Sequence, residues 1–222
     1  MKNSISISVI LFLTSCSSEK IADDRNSISM NFPEQNLNNP NEVLFDGNNI
    51  ILEQISDENS LSEFTVQKIE STIEDITFRA KRIPTELYLK NQDVFGQELE
   101  EALIQLKGEQ LFYFEFEETQ KQDLMKKYFE GDMDSKVSYL SFTIFKDFQL
   151  VNSKGDTLEA NYTLYERNYH VAPFEKIIVS FSNVESDENL KLIYNDQLFG
   201  KGTSRFSFAS ETYLQNTIKQ PS

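Results

Sequence analysis

From residue 42 onward, apolar and polar positions follow two rhythms, and the changes between them predict the elements of the chain. Val43-Leu44-Phe45, Asp46-Gly47-Asn48-Asn49 and Ile50-Ile51-Leu52 read as strand, turn and strand, because Asp-Gly supplies the positive φ that a tight hairpin needs. Over 61–83 both rhythms are present. Leu61, Phe64, Ile69, Ile73, Ile76 and Ala80 fit one helical face, whereas Phe64/Val66 and Phe78/Ala80 alternate as strands do. Helix and strands both stay open there, with the β-branched Thr65, Val66, Ile69, Thr72, Ile73, Ile76 and Thr77 favouring strands. Pro84 ends the element under either reading. Phe95, Leu99, Ala102, Leu103 and Leu106 recur at helical spacing, with Gly108 as the stop. Residues 110–117 read as a strand with Phe112, Phe114 and Phe116 on one face. Residues 120–129 read as a second short helix presenting Leu124, Met125, Tyr128 and Phe129.

From Lys136 onward the pattern predicts a β-meander. Residues 136–151 form one long or bent strand, 153–156 a turn, and Leu158, Ala160, Tyr162 and Leu164 an alternating strand. Further strands follow at 176–184, 190–194 and 205–209, and 215–222 reads as a frayed tail. No internal repeat at a fixed period is present. The expected fold is therefore α+β, mainly antiparallel β as a meander or sandwich, with two short packed helices. It forms a single globular domain over 42–214.

The first 41 residues follow neither rhythm for long. Met1-Lys2 precedes an apolar stretch over 5–13, interrupted by Ser6 and Ser8. That is far short of the ~20 apolar residues of a spanning helix and matches a signal-peptide core. Leu13-Thr14-Ser15-Cys16 then sets an aliphatic residue, two small ones and the sequence's only cysteine directly behind that core. This constellation resembles the lipobox of bacterial lipoproteins. The resemblance implies that 1–15 is an export signal removed before Cys16, that the Cys16 sulfur carries a diacylglycerol, and that the new amine is acylated. Two or three chains, each methylene worth about 0.8 kcal/mol when buried, make a lasting membrane anchor. Ser17-Ser18-Glu19-Lys20-Ile21-Ala22-Asp23-Asp24 resembles, with different spacing, the acidic, lysine-bearing stretch that follows this cysteine in surface-exposed envelope lipoproteins of the Bacteroidota. Ser17 stands where an Asp would mark inner-membrane retention, so the resemblance implies the outer membrane.

Residues 16–41 accordingly read as a lipidated cysteine followed by a tether. Ser, Asn, Asp and Glu dominate, with Pro33, Pro40 and only scattered Ile28, Met30, Phe32 and Leu37. Such a stretch buries too little apolar surface to offset its ordering entropy. As a flexible coil it spans roughly 25–30 Å.

Charge narrows the partners. The chain holds 21 Lys+Arg against 36 Asp+Glu, a net charge of −15, which becomes −16 once Lys2 leaves with the signal. An acidic surface without a basic patch repels nucleic acid and anionic lipid head groups alike. Membrane association therefore rests on the lipid, and no nucleic-acid partner is expected.

Chemistry is sparse. His170 is the single histidine, which removes histidine-pair zinc sites, and a lipidated Cys16 leaves no Cys-His pair. No Gly-x-Ser-x-Gly elbow accompanies His170, so it reads as a strand-end residue. Gly200-Lys201-Gly202-Thr203-Ser204 lacks the spacing of a phosphate loop and reads as a turn. Ser17-x-x-Lys20 lies in the tether. Glu130-Gly131-Asp132-Met133-Asp134 offers oxygens to Ca²⁺ but lacks the later glycine and glutamate of an EF-hand, and reads as a solvated loop. The pairs Glu100/Glu101, Glu115/Glu117/Glu118 and Asp187/Glu188 read as solvated faces. Cys16 is thus the one site residue expected, with no cofactor, metal or catalytic group. The leading expectation is a non-catalytic, lipid-anchored envelope domain that binds a protein or glycan. The alternative is a carboxylate-dependent glycan hydrolase, which requires two inward-facing carboxylates in an aromatic-lined cleft.

Overall fold

In the computed structural model, which describes residues 42–57, 62–129, 132–168, 172–185 and 187–218, the first hairpin turns at Asp46-Gly47 alone. Both residues have positive φ, 46° and 77°. That is the combination that matches the strand twist of β1 (Glu42–Phe45) and β2 (Asn48–Asp57). Residues 61–83 resolve into strands: β3 (Ser62–Ile73) and β4 (Ile76–Ile83) pair antiparallel across Glu74-Asp75. Past Pro84 come α1 (Thr85–Lys90) and α2 (Gly96–Gln105), the latter closed by Gly108 at φ 84°. Strand β5 (Gln110–Glu118) returns through the centre and leads to α3 (Leu124–Phe129) and α4 (Met133–Phe142). A 3-10 turn (Ile144–Asp147) then opens β6 (Phe148–Val151). β7 (Thr157–Glu159), β8 (Tyr162–Glu166), β9 (Phe174–Phe181), β10 (Leu190–Asp196), β11 (Gly202–Phe208) and α5 (Glu211–Ile218) complete the order.

The strands form two antiparallel sheets. The larger has the order β1-β2-β3-β4-β5-β9-β8 and the smaller β11-β10-β6-β7. The fold is α+β and mainly antiparallel β, as the pattern predicts. Three details differ. Only β1–β5 form a meander; the later strands divide between the sheets, and 158–164 breaks into β7 and β8 in different sheets. Residues 136–151 are not one strand. Met133, Val137, Leu140 and Ile144 recur at helical spacing and pack into the core, which outweighs the strand propensity of their neighbours. There are five short helices among the described residues, not two, and α5 runs into the segment read as a frayed tail.

Alternation decides what lies between the sheets. Ile69, Phe78, Ala80, Phe112, Phe114, Phe116, Ile177, Val179 and Phe181 line the inner face of the large sheet, and Phe148, Leu150, Leu192, Tyr194, Phe206 and Phe208 that of the small one. Phe114 sits centrally, 4.7–5.7 Å from the rings of Phe148, Tyr194 and Phe206. Gln67, Arg82 and Glu175 are buried polar side chains on this same face, and Arg82 has the longest reach. It donates to Gln110 Oε1 at 3.0 Å and to the carbonyls of Glu188 and Ala209 at 3.1 Å, while Gln67 exchanges two bonds with the Ala209 backbone. These bonds fasten the end of β11 to the large sheet. On the opposite face a smaller cluster, Val66, Ile83, Leu111 and Ile178, is covered by Leu87 of α1.

Candidate functional site

Several sequence candidates lie outside the described residues: Cys16, the Ser17/Lys20 pair, Glu130, Gly131 and His170. Asp132 and Asp134 stand exposed at the start of α4, and no group of three metal-capable side chains occurs among the described residues. No described helix is long and apolar enough to cross a membrane.

The glycine-bearing loop before β11 is a turn, and its amide groups already hold an anion. The N–H groups of Leu198, Phe199 and Lys201 donate to the carboxylate of Asp196 at 2.8–3.0 Å. Lys201 Nζ points to Glu74 at 2.5 Å and Asp75 at 3.0 Å. Three of the loop's amides and its lysine are thus already engaged by carboxylates.

The carboxylate pairs correct an expectation. Glu100 and Glu101 are exposed on α2, but Glu115, Glu117, Glu118 and Glu188 are buried. Glu117, Glu118 and Glu188 are matched by donors and Glu115 by the charge of Lys81 at 3.8 Å, which is what makes their burial tolerable. Glu117 receives Arg79 at 2.5 Å. Glu118 accepts the Gln120 and Gln122 amides and Lys127 Nζ, which together hold its carboxyl below the ordinary range, Lys127 acting most. Glu188 accepts from Ser153 and the Glu185 amide, and Asp187 caps α5 through Thr212. These groups build the fold and do not converge on one site.

What the strand register does converge is the outer face of the large sheet. One cross-strand row reads Glu70, Arg79, Glu115, Lys176, Glu166, alternating in sign across five strands. Opposite charges face each other directly, the stabilising arrangement for sheet neighbours. Arg79 lies 2.9 Å from Glu70, and Lys176 2.5 Å from Glu166. The next row sets Lys68 against Lys81, a repulsive pair that Glu53 bridges at 2.7 and 3.5 Å. Burial raises the Glu53 carboxyl, and the two lysines more than reverse this.

Beside these rows stand three tyrosines from distant parts of the chain. Tyr113 continues the Lys68/Lys81 row, with Ile178 and the exposed Leu164 beyond it, and Tyr162 stands on β8 two residues before Leu164. Tyr88 comes from α1. Burial, and then the nearby Tyr162, Tyr113 and Glu166, push the Tyr88 phenol up to about 12. Tyr113 and Tyr162 are likewise raised, burial first, so all three are neutral hydrogen-bonding groups at physiological pH. Lys176 Nζ lies 4.6 Å from the Tyr113 ring centre, and Lys90 Nζ 5.1 Å from that of Phe64. The result is an aromatic, partly exposed platform whose charges are already paired within it. No single stretch of sequence signals it, because 113 and 162 share a face only through strand order and 88 joins them only through the packing of α1.

A second cluster lies at the edge of the core. Asp147 is 9% exposed, and its Oδ2 meets no donor among the described residues. Burial, and then the charge of Asp196, push its carboxyl up to about 6. Asp196 itself takes a further bond from Tyr194 Oη at 3.0 Å. The two aspartates are 49 positions apart in sequence, and no local pattern links them.

Compared with known proteins, the chain matches no family model, and neither a curated protein nor a solved structure is similar to it.

Proposed function

We propose that this chain is a lipid-anchored protein of the bacterial outer membrane, held at Cys16, whose domain binds an envelope component without acting on it chemically. The anchor reading rests on the signal core and Leu13-Thr14-Ser15-Cys16. The binding reading rests on one observation, the Tyr88/Tyr113/Tyr162 platform on a face whose charges are internally paired. Such a face attracts neither cations nor phosphates, but offers flat rings, neutral phenols and fixed polar groups to an uncharged, hydroxyl-bearing surface. An uncharged envelope glycan fits it best, with an uncharged patch of another protein as the other outcome of the test.

The hydrolase reading is second, and the buried Asp147 is the observation that favours it, since a carboxyl raised by burial and by the charge of Asp196 suits general-acid work. Against it, Tyr194 and three backbone amides already occupy the Asp196 oxygens. That carboxylate has no free face to serve as base or nucleophile.

Incubating the mature protein with purified envelope polysaccharide separates the two readings. Binding predicts co-sedimentation without release of new reducing ends. Release that disappears in Asp147→Asn would establish the hydrolase instead. Radiolabelled palmitate tests the anchor: it should enter the wild type and not Cys16→Ser, and equal labelling of both would remove that part of the proposal.

A further inference from the structure

Beside the tyrosine platform, the outer face of the large sheet ends in small polar groups gathered around one carboxylate. Glu109 directly precedes β5 and Ser182 directly follows β9, while Leu111, Ser180 and Tyr162 are cross-strand neighbours in the adjoining row. Ser180 Oγ donates to Glu109 Oε2 at 2.7 Å, and Ser182 Oγ donates to Oε1. Asn161, at the entry to β8, donates from Nδ2 to Glu109 Oε2 at 3.2 Å and to Ser182 Oγ. Its backbone N–H is fixed to the Ser180 carbonyl at 2.8 Å. Thr85, the first residue of α1, donates to the Glu109 carbonyl at 3.4 Å, so the helix that carries Tyr88 is tied to the same point. At Tyr162, burial raises the phenol, a bond with Ser180 lowers it, and the charge of Glu109 raises it again. Tyrosine and carboxylate therefore belong to one surface.

Two properties set this carboxylate apart. The acids Glu53, Glu70, Glu115, Glu117 and Glu166 of the same face are each matched by a lysine or arginine. Glu109 is paired with no such cation among the described residues, and its charge is met by two hydroxyls and an amide. The second property is the direction of the hydrogens. A serine hydroxyl has one proton to donate and an asparagine amide two. In this cluster all of them are turned towards Glu109 or Ser182. What faces outward is a set of acceptors: the uncommitted lone pairs of Glu109 Oε1 and Ser182 Oγ, and Asn161 Oδ1. Ser180 is buried, but Asn161 is exposed and Glu109 and Ser182 are half-buried, so these acceptors lie within reach of a ligand.

We propose that Glu109, Ser182 and Asn161 form the hydroxyl-binding end of the tyrosine platform, a subsite that takes two adjacent free hydroxyls of an uncharged sugar. This deepens the reading of the platform as a glycan-binding surface and rests on it. A sugar ring laid on Tyr162 sets its C–H face against the phenol ring and directs hydroxyls outward from its rim. Two neighbouring hydroxyls can each donate to one of these acceptors, and a bond to a carboxylate is of the stronger, charge-assisted kind. An alkylated or acylated hydroxyl has no hydrogen to give and leaves the acceptors unmatched. Glu109 is thereby the specificity-determining residue: it selects unsubstituted sugars, whereas the tyrosines accept any flat ring face.

The neutral polysaccharide of the envelope, purified and immobilised with or without prior per-O-methylation, tests the subsite, because methylation removes the donors and keeps the ring faces. The full mature chain should bind the methylated form at least about tenfold more weakly than the native form. Glu109→Gln, of the same shape, should lose at least about fivefold on the native glycan and nothing on the methylated one. The wild-type comparison needs no variant, so it decides even where Glu109→Gln fails to fold. Equal binding of the two glycans by the wild type would overturn the subsite and leave the platform standing. So would a folded Glu109→Gln protein that keeps full affinity for the native glycan. No binding of the native glycan by the wild type would remove the platform reading and the subsite together.

Discussion

The outer face of the large sheet and the core beneath it handle charge in opposite ways. On the outer face Glu70, Arg79, Glu115, Lys176 and Glu166 alternate across five strands, and the one like-charged contact, Lys68 against Lys81, is bridged by Glu53. On the inner face phenylalanines fill the space, and across the core, in the 3-10 turn that opens the small sheet, Asp147 is buried with no donor to its Oδ2 among the described residues. Solvent explains the difference. Apart from the buried Glu115, the ions of the outer rows are partly exposed and tolerate imperfect pairing because water screens them, so each adds little stability and the face remains available as a surface. A buried carboxyl without a partner is costly, and the protein relieves that cost by retaining its proton. A partly screened, self-neutralised face suits contact with other molecules, whereas a buried carboxyl with an unpartnered oxygen suits a response to pH.

Substitutions can break this contrast, in descending order of effect. Phe114→Ala removes the ring at the centre of the inner face and should cost about 3–5 kcal/mol, read as a drop in urea midpoint at unchanged slope. Arg79→Ala strips the partner from Glu117, whose side chain is 8% exposed, and should cost about 1–3 kcal/mol. If Arg79→Ala were as costly as Phe114→Ala, the outer face would be a second core and not a surface.

Asp147→Asn runs the other way. A carboxyl raised from 3.8 to about 6 withdraws stability as pH rises through that window, so the neutral amide should gain about 1–2 kcal/mol at pH 7 and nothing at pH 4. Thermal melts at the two pH values check both the sign and the window. A variant no more stable than the wild type at pH 7 would mean that Asp147 is adequately paired. The smallest change belongs to Lys176→Gln, which loses the Glu166 pair and the Tyr113 ring contact in partly exposed surroundings. About 0.5 kcal/mol or less is expected, fading further in high salt.

Much of the architecture is legible in the chain. Asp46-Gly47 marks a hairpin because few other dipeptides accept two positive φ angles, and Phe112/Phe114/Phe116 mark a strand because only period two puts three rings on one face. Reading fails where tertiary burial outweighs local preference. Residues 133–142 carry strand-forming Val137 and Tyr139, yet fold as a helix because Met133, Val137 and Leu140 then share one buried side. Helix α1 escapes notice because six residues carry too little periodicity. The candidate surface is the least legible part. Tyr113 and Tyr162 join only through sheet order and Tyr88 only through the packing of α1, and the charge of Asp196 reaches Asp147 only in the folded chain. The buried Glu118 and Glu188 look like any surface acids until their backbone donors are located.

The central claim, that the tyrosine platform is the contact surface, is most directly tested by binding to immobilised, uncharged envelope glycan with Tyr113→Ser/Tyr162→Ser beside the wild type. The Phe45–Tyr213 contact, remote from the platform in the sheet order, provides the control, Tyr213→Ser. The account predicts that the double variant, still folded by circular dichroism, loses at least about tenfold in affinity, the equivalent of about 1.4 kcal/mol, while Tyr213→Ser binds as the wild type does. Equal affinity of all three proteins, or a loss confined to Tyr213→Ser, would contradict it.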